Sequence, residues 1–380
     1  MPVPFLDLKV QYKTIADEIK PEINDVLDTS YYVLGPKVAA FESAFAALTG
    51  TKHCVAVSSG TAAVHLMLWA ADLPEGSGII LPPNTFTASA EGIILANHIP
   101  VFVDVDEKTW NISPGKVDEF ISRNYRNGKI IDPNTGAIVR GILSVDLYGR
   151  PADGEALENI ADKYGIQLFE DAAQAHGASS KGRMAGSFGT AAAFSFYPGK
   201  NLGAYGEGGA LTTNSDEIAV KARQLRDHGA TEKYFYDFIG HNYRMAAIQG
   251  AVLGVKIKHL QGWNDNRIAA AERYVELLRN TPLELPEWDD NERHVFHLFA
   301  AHTPDRDALR EYLGNKDIAS GLHYPYPLHT QKAYAKYGYR MGDFPTSEYN
   351  CAQNITLPIF PEITAAQQAE VARGVIAFFS

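Results

Sequence analysis

The chain has 380 residues, 46% of them hydrophobic and 21% charged, which is the composition of a folded protein with a large core. Its 34 basic and 45 acidic residues give a net charge of −11, which argues against a general nucleic-acid binder because phosphate contacts need clustered Lys and Arg. The two cysteines have no CxxC partner, so neither a disulfide framework nor a zinc knuckle is expected. Residues 1–20 lack the apolar run of a signal peptide, and no later stretch reaches the ~18 apolar residues of a membrane span, so we expect a cytoplasmic protein.

Short apolar runs alternate with helical patterns from residue 52 onward, which predicts an α/β fold with a mostly parallel sheet. Helices are predicted at 61–71 and from the loop at 82–84 to about 96. Strands are predicted at 53–57, 78–81, 99–105, 139–145, 166–169 and 191–196. Because these strands end in polar or glycine-rich loops, we expect a ligand at the carboxyl ends of the sheet.

After residue 244 the alternation of short apolar runs and helical patterns gives way to a longer helical pattern. A long helical pattern over residues 247–280 is interpreted as the connector to a second unit, which has a strand at 295–301 and helices at 305–313 and 364–379. The sequence therefore predicts a large α/β domain of residues 1–245 and a smaller α+β C-terminal domain of residues 246–380.

Lys200 follows the strand predicted at 191–196, in a Pro-Gly turn with a run of glycines shortly after it. Glycines let a backbone approach a ligand, and a lysine in a partly desolvated pocket loses pKa and becomes a nucleophilic amine. A glycine-rich surface loop with a solvated lysine fits this segment equally well. The segment is not a P-loop, because GxxxxGK[ST] is absent.

Two acids, Glu170 and Asp171, end the preceding strand, and Gln174 and His176 follow them. Asp171 on its own is read most simply as the cap of a following helix. Beside a lysine from the next strand it also suits pyridoxal phosphate. A carboxylate near the pyridine nitrogen keeps that ring protonated, and the protonated ring is the electron sink of this chemistry.

The segment Ser-Ser-Gly-Thr at 58–61 lies between a predicted strand and a predicted helix. Free backbone N–H groups and the helix dipole converge there, which suits a phosphate. Ser and Thr are also ordinary N-cap residues, so this segment gains its value from lying on the same sheet edge as the acid and the lysine.

Ten motifs follow one another along nearly the whole chain. They are PFLDL (4–8), SSGTAA (58–63), NTFTAS (84–89), LYGRPAD (147–153), FEDAAQAHGA (169–178), KGRMAGSFG (181–189), SFYPGKNLGAYGEGGA (195–210), HNYRM (241–245), HYPYPLH (323–329) and LPIFPEIT (357–364). In this order they resemble the DegT/DnrJ/EryC1/StrS family of pyridoxal-phosphate sugar aminotransferases. The resemblance implies the aspartate-aminotransferase fold (fold type I), with a large, mostly parallel sheet domain and a smaller C-terminal domain, and pyridoxal 5′-phosphate as the cofactor.

The resemblance also implies roles for individual residues. Lys200 would be the Schiff-base lysine, Asp171 the partner of the pyridinium nitrogen and Gln174 the neighbour of the ring hydroxyl, while Phe86 would stack on the ring. The phosphate would be held by Gly60, Thr61 and Ser195, joined by Asn242 from the neighbouring subunit, which implies a homodimer with shared active sites. The segment that closes near the substrate would contain His323 and Tyr324.

Ordinary structural roles compete with several of these assignments. Phe86 is also a candidate for core packing, Ser195 for a plain strand residue, and Asn242 for the cap of a helix that begins near residue 246. His294 and His297 lack metal-ligand spacing and are expected to be structural or surface residues, so no metal site is predicted.

The resemblance implies amino transfer, by analogy from L-glutamate, to a nucleotide-linked ketosugar for amino-sugar biosynthesis. The C3 ketone of deoxythymidine- or uridine-diphosphate sugars is favoured over the C4 ketone, and cyclitols rank third. A sugar 3-dehydratase carries histidine in place of the lysine, so Lys200 argues against that alternative. A regulatory or inactive member is the non-enzymatic alternative, and the intact set of Lys200, Asp171, Gln174 and Ser195 argues against it. The chain departs from the family pattern at Glu207, in GEGGA where GDGGA is usual, and at Ala246, where a polar residue is common.

Overall fold

The computed structural model describes residues 2–380. Its α-helices are α1 (Leu8–Thr29), α2 (Gly35–Thr49), α3 (Gly60–Ala70), α4 (Thr87–Leu95), α5 (Pro114–Asn124), α6 (Gly154–Tyr164), α7 (Asp216–Arg226), α8 (Ala247–Lys256), α9 (Leu260–Leu278), α10 (Arg306–Gly314), α11 (Pro345–Gln353) and α12 (Ala365–Phe379). Short 3-10 turns lie at Leu147–Gly149, Leu328–Thr330 and Lys332–Tyr337.

The strands are β1 (His53–Val57), β2 (Gly78–Leu81), β3 (Ile99–Phe102), β4 (Tyr125–Arg126), β5 (Lys129–Ile130), β6 (Val139–Val145), β7 (Gln167–Asp171), β8 (Ser179–Ser180), β9 (Arg183–Met184), β10 (Ala191–Ser195), β11 (Gly209–Thr213), β12 (Ala230–Glu232), β13 (Phe235–Tyr236), β14 (Glu292–Arg293), β15 (Phe299–His302) and β16 (Asn354–Leu357). Seven of them form the central sheet in the order β1-β11-β10-β7-β6-β2-β3. Its neighbours pair in parallel, except that β11 is antiparallel to β1 and to β10. The predicted α/β class with a mostly parallel sheet is confirmed.

Helices cover both faces of this sheet, and the side chains of β1 show how. Val55 and Val57 belong to the apolar cluster that includes α3 and α4, whereas Cys54 and Ala56 belong to the cluster that includes α2. Successive side chains of a strand point to opposite faces, so both sets are buried. This explains why the central strands appear in the sequence as continuous apolar runs.

The C-terminal unit has its own core. Strands β15 and β16 pair antiparallel and pack with α9, α10 and α12 around buried residues such as Tyr274 and Phe299. The start of the chain reaches this unit, because Val3 bridges to Ile318. Helix α8 contacts α1 and α2 instead. The boundary between residues 245 and 246 stays a prediction.

The single helix predicted over 247–280 is wrong, because a turn at 257–259 separates α8 from α9. The turn residues keep nearly helical backbone angles, with φ −59° at Ile257 and φ −96° at His259. The apolar spacing of Leu253, Ile257 and Leu260 therefore continues through the break, and sequence periodicity does not reveal it.

The strand predicted at 295–301 is shorter and begins at Phe299. Phe296 has a φ of +43°, which bends the backbone before the strand. The residues around it pair with the turn that follows β6: Val295 N–H donates to the Gly149 carbonyl at 2.9 Å, and Leu298 N–H donates to the Tyr148 carbonyl at 3.2 Å. The strand predicted at 99–105 likewise ends early, at Phe102. Among residues 2–380, no helix combines the length with the apolar character that crossing a bilayer demands.

Candidate active site

Three segments that were expected to carry chemistry meet at one edge of the sheet. Gly209, the first residue of β11, pairs with Val57 at the end of β1 and with Ser195 at the end of β10. On the next strand, Asp171 pairs with Ala193. The acid, the serine and the turn after β1 therefore lie along the carboxyl edge, as predicted.

The loop that carries Lys200 is held in place by a second, buried lysine, Lys256. Lys256 is 1% exposed, and its Nζ donates a hydrogen bond to the Gly203 carbonyl at 2.7 Å. A Cβ atom at Gly203 would lie 2.3 Å from the carbonyl oxygen of Pro198, so only glycine permits this tight turn. These contacts fix the path of the chain on both sides of Lys200.

Lys200 is half-buried, so the alternative of a solvated surface lysine is wrong. Burial lowers the pKa of its ammonium to about 8, and the negative charge of Asp171 partly opposes that shift. A lysine with such a pKa has a substantial neutral fraction near neutral pH, which is the nucleophilic and proton-accepting form.

Asp171 is 6% exposed and ends β7. Its Oδ2 accepts a hydrogen bond from Ser89 Oγ at 2.6 Å, and its Oδ1 accepts one from Ala173 N–H at 3.2 Å. Burial raises the pKa of the carboxyl, while Ser89, Ala173 and the Lys200 charge each lower it. Residues 172–178 form turns, so the alternative of a helix cap is wrong.

Glu170, next to Asp171 in sequence, lies on the opposite face of β7 and serves the fold. Its Oε2 accepts a hydrogen bond from Gly186 N–H at 2.8 Å. Burial raises its pKa and that of its neighbour Asp146. The alternation of a strand thus separates a structural acid from a site acid.

Gln174 connects the sheet edge to the C-terminal unit. Its Oε1 accepts a hydrogen bond from Tyr148 N–H at 2.6 Å, and its Nε2 donates to the Tyr324 hydroxyl at 3.1 Å. The Tyr324 ring lies 5.5 Å from the ring of Phe86, measured between centroids. Phe86 is 53% exposed, so the alternative of core packing is wrong.

The turn after β1 forms a cup at the start of α3. Ser59 caps the helix, its Oγ accepting from Ala62 N–H at 3.1 Å, and Gly60 and Thr61 form the first turn. A Cβ atom at Gly60 would lie 2.6 Å from Ser195 Cβ, so the helix start rests directly against the end of β10. Ser195 is a strand residue, as the alternative expected, and its hydroxyl also lies beside this turn. Helix N–H groups beside a serine hydroxyl suit a phosphate, and a role of Ser195 in holding one stays a prediction.

Asn242 is exposed, and its Oδ1 accepts a hydrogen bond from Arg244 Nε at 3.0 Å. Helix α8 begins after Ala246 without a side-chain cap, so the alternative of a capping role for Asn242 is wrong. The neighbouring Tyr243 carbonyl accepts from Ser58 N–H at 2.8 Å, which brings this segment beside the cup of the same chain. A contribution of Asn242 to the other subunit stays a prediction.

His323 approaches the site from the C-terminal unit. Its Nδ1 lies 2.9 Å from Thr356 Oγ1, and its ring stacks on Phe5 of the PFLDL motif at 5.7 Å. Burial lowers the pKa of His323 to about 4, with a smaller contribution from the positive charge of Lys200. His323 is therefore neutral at neutral pH, and burial raises the pKa of the adjacent Tyr324.

Two residues of the site were not singled out from the sequence, although both lie in motifs quoted above. Ser89, at the end of NTFTAS, reaches Asp171 from α4. Tyr148, in LYGRPAD, contacts Gln174.

His294 and His297 have hydrogen-bond partners within the fold. Nδ1 of His294 accepts from Phe296 N–H at 3.0 Å, and Nδ1 of His297 lies 3.2 Å from Asn201 Oδ1. Among residues 2–380, no group of three or more His, Cys, Asp or Glu is arranged to hold a metal.

These residues fit pyridoxal phosphate. Asp171 supplies a buried carboxylate for a pyridinium nitrogen, and Lys200 supplies an amine of lowered pKa. A side chain at Gly60 would collide with Ser195, so glycine is what lets the N–H groups at the start of α3 lie beside that hydroxyl. On one sheet edge the carboxylate suits the pyridine nitrogen of that cofactor, the amine suits its aldehyde, and the turn at the start of α3 suits its phosphate.

Comparison with known proteins agrees with this fit. The model of the DegT/DnrJ/EryC1/StrS aminotransferase family matches residues 13–376. A "Pleiotropic regulatory protein" of Geobacillus stearothermophilus is 38% identical over 100% of this chain and 99% of its own length. A dTDP-3-amino-3,4,6-trideoxy-α-D-glucose transaminase of Streptomyces venezuelae is 40% identical over 97% of this chain and 94% of its own length.

The fold has a close counterpart among solved structures. A crystal structure of S. venezuelae DesV in complex with a ketimine intermediate superimposes with a TM-score of 0.93 at 38% identity, covering 100% of this chain and 99% of that one. The predicted fold type is therefore confirmed, together with the two-part arrangement of a large sheet and a smaller C-terminal unit. The chain belongs to the DegT/DnrJ/EryC1/StrS family of pyridoxal-phosphate-dependent aminotransferases.

Proposed function

We propose that this aminotransferase moves the amino group of L-glutamate to a nucleotide-linked ketosugar, at a C3 ketone in preference to a C4 ketone, in amino-sugar biosynthesis. The observation that carries the proposal is the buried Asp171 carboxylate beside the lowered-pKa Lys200 amine on one sheet edge. The preference for C3 is supported by the relative at 40% identity, whose name describes a 3-amino sugar transaminase.

Each half of the cofactor has its own residues in this proposal. The Asp171 carboxylate keeps the pyridine nitrogen protonated, and the protonated ring supplies the electron sink for breaking a bond at the amino-bearing carbon. Gly60, Thr61 and Ser195 hold the phosphate through helix N–H groups and a hydroxyl. Phe86 would stack on the ring, and Gln174 would lie beside the ring hydroxyl.

Lys200 is the catalytic base and acid of the proposal. Its Nζ, with a pKa of about 8, would take the proton from the α-carbon of the amino donor and pass it to the cofactor, and in the acceptor half it would take a proton from the cofactor and give it to the sugar carbon. The loop held by Lys256 keeps this amine over one face of the site, so proximity adds to its basicity. In this proposal His323 and Tyr324, which come from the C-terminal unit, contact the sugar.

The proposal includes a homodimer in which Asn242 completes the phosphate cup of the other subunit. An exposed apolar segment supports it, because Tyr234 and Phe235 in the hairpin of β12 and β13 are 75% and 66% exposed, and Ile239 just after the hairpin is 81% exposed. Patches of this kind mark interaction surfaces.

A cytoplasmic location is also part of the proposal. The free, buried thiols of Cys54 and Cys351 support it, because thiols stay reduced in that compartment.

A regulatory role is the second candidate, because the relative from G. stearothermophilus carries a regulatory name. A regulator without catalysis has no need of a half-buried lysine at a lowered pKa, so Lys200 favours the enzyme.

One experiment separates these functions. Protein loaded with pyridoxamine 5′-phosphate is incubated with nucleotide ketosugars that carry the ketone at C3 or at C4 and with a cyclitol ketone. The pyridoxal form is followed by absorbance and the amino product by mass, and L-glutamate, L-glutamine and L-aspartate are compared as donors. We expect conversion of the C3 ketosugar, and none with Lys200→Ala. Conversion of only the C4 sugar or only the cyclitol would make that compound the substrate in place of the C3 ketosugar. Absence of conversion of every acceptor would favour the regulatory role.

A further inference from the structure

Tyr148 occupies a strained position between the two halves of the site. It is 3% exposed and lies in the 3-10 turn Leu147–Gly149 that follows β6. Its φ of +63° falls in the left-handed region, which is unfavourable for a bulky side chain. Such strain persists where surrounding contacts hold it, and it is frequent at functional sites.

The backbone and the side chain of Tyr148 reach two different site residues. Its N–H donates to Gln174 Oε1 at 2.6 Å, on the sheet edge. Its hydroxyl donates to the His323 carbonyl at 2.5 Å, on the C-terminal unit, and lies 3.1 Å from Asn350 Oδ1. Gln174 Nε2 in turn donates to the Tyr324 hydroxyl at 3.1 Å, which closes a ring of contacts.

The His323 peptide is held on its other side as well. Asn354 Oδ1 accepts from His323 N–H at 2.9 Å, and Asn354 Nδ2 donates to the Tyr324 carbonyl at 3.2 Å. The His323 carbonyl, by contrast, takes its hydrogen bond from Tyr148. The Tyr148 hydroxyl therefore links this segment of the C-terminal unit to the turn after β6, which belongs to the large sheet.

From this ring we infer that Tyr148 is a positioning residue for the sugar half of the reaction. Its hydroxyl fixes the His323 carbonyl and thereby aims His323 and Tyr324 at the acceptor. The inference rests on the proposed function, in which these two residues contact the sugar. In the described part of the chain, the hydrogen bonds of Tyr148 lead to this segment, to Asn350, to Gln174 and to Leu298, and not to Lys200 or Asp171. The donor half-reaction should therefore depend on it much less.

The test is Tyr148→Phe, which removes the hydroxyl and keeps both the ring and the backbone donor to Gln174. The matched control is Tyr274→Phe, because Tyr274 is fully buried and its hydroxyl also donates to a backbone carbonyl, that of Pro358 at 2.9 Å, inside the C-terminal core. Losing one such hydrogen bond costs both variants a similar amount of stability. Differences between them therefore report position rather than folding.

The first readout is hydrogen–deuterium exchange of the peptide covering residues 320–327, which needs no turnover. The amides of Gly321 and His323 are bonded to the Thr356 carbonyl and to Asn354. We expect Tyr148→Phe to speed their exchange about threefold or more relative to the control, because opening of the segment becomes easier. Equal exchange in both variants would overturn the inference.

The second readout compares the two half-reactions under single-turnover conditions. We expect Tyr148→Phe to raise the ketosugar concentration that gives half the maximal single-turnover rate about tenfold, while the donor half-reaction stays within about twofold of the unchanged protein. A parallel loss in both halves would overturn the assignment to the sugar. Failure of the proposed function itself appears separately, as absence of ketosugar conversion by the unchanged protein, and the exchange measurement still decides whether Tyr148 holds the segment.

Discussion

The hydroxyl of Ser89 donates a hydrogen bond to Asp171 Oδ2 at 2.6 Å, from the first half of α4 to the end of β7. Both side chains are buried, Ser89 at 1% and Asp171 at 6% exposure. The contact orients the carboxylate and lowers its pKa against the opposing effect of burial. Ser89 thus sustains the ionised state that a pyridinium partner needs.

We predict that Ser89→Ala lowers kcat/KM by about 10- to 150-fold, since a hydrogen bond to a charged group contributes about 1.5–3 kcal/mol. Loss of the donor raises the pKa of Asp171, so the acid limb of the pH–rate profile should move to higher pH. The control is Ser144→Ala on β6, which removes a buried hydroxyl that donates to the Phe169 carbonyl at 3.2 Å. An acid limb that stays in place in Ser89→Ala would contradict the role.

Lys200 carries a stability cost that depends on pH. Its pKa falls from 10.5 in the unfolded chain to about 8 in the folded protein, so between these values the unfolded state binds more protons and stability rises with pH. We predict that cofactor-free Lys200→Met is more stable than the unchanged cofactor-free protein at pH 7, by up to about 3 kcal/mol. The difference should shrink as the pH rises through 8 towards 10.5.

Urea unfolding of the two cofactor-free proteins at pH 7 and pH 10 measures this difference. The control is Lys332→Met at an exposed lysine, which should change stability by less than about 0.5 kcal/mol at either pH. If Lys200→Met were no more stable than the unchanged protein at pH 7, the desolvated ammonium would not be the source of the cost.

The proposed phosphate cup can be tested by adding a single methyl group, as alanine, at Gly60 in the first turn of α3. A Cβ atom at Gly60 would lie 2.6 Å from Ser195 Cβ and 3.1 Å from its backbone Cα, so alanine forces the helix and β10 apart. We predict that Gly60→Ala costs about 1–3 kcal/mol of stability and weakens binding of pyridoxal phosphate at least tenfold.

The matched control for this substitution is Gly115→Ala in the first turn of α5, which also follows a serine N-cap. The nearest atom to a Cβ there is Ser113 Oγ at 3.9 Å, so no clash arises. Alanine in a helix is favoured over glycine by about 0.5–1 kcal/mol, so this variant should be unchanged or slightly stabilised. Thermal unfolding and a fluorescence titration with the cofactor compare the two. Equal cofactor affinity in both variants would remove Gly60 from the cup.

The strands of the sheet were the most predictable part of the fold. β1, β2 and β6 have the predicted bounds, because each is a buried apolar run bounded by turn residues. Helices α1 and α2 and strand β11 were not predicted. The sequence of β11, GALTT, continues a glycine-rich stretch, and its antiparallel place between β1 and β10 depends on tertiary pairing.

The site was predictable where a residue type implies a chemistry. A lysine and an acid at neighbouring strand ends pointed to the cofactor before any geometry was known. Ser89 and Tyr148 act through hydrogen bonds to residues that are 82 and 175 positions away in sequence, Asp171 and His323 respectively. A serine or tyrosine carries no local signal of such a partner, so only the fold reveals them.

The proposed dimer with shared active sites can be tested at Asn242. Within one chain Asn242 is exposed and bonded to Arg244, while the adjacent Tyr243 carbonyl holds Ser58 beside the cup. If Asn242 serves the partner subunit, Lys200→Ala and Asn242→Ala proteins should each be inactive and should regain activity when mixed and allowed to exchange subunits. A two-fold symmetric dimer of the two variants collects both lesions in one site and leaves the other intact.

A random mixture contains the mixed dimer as half of its dimers, each with one intact site, so we expect recovery of about a quarter of the sites. The control is a mixture of Lys200→Ala with Asp171→Asn, because Lys200 and Asp171 meet on one sheet edge of the same chain and no exchange of subunits reunites them. Subunit exchange is verified by native mass spectrometry of differently tagged chains. Recovery in the first mixture alone places Asn242 in the partner's site. Verified exchange without recovery, after Asn242→Ala alone has proved inactive, would assign Asn242 to the cup of its own chain, next to the Ser58 and Tyr243 contact.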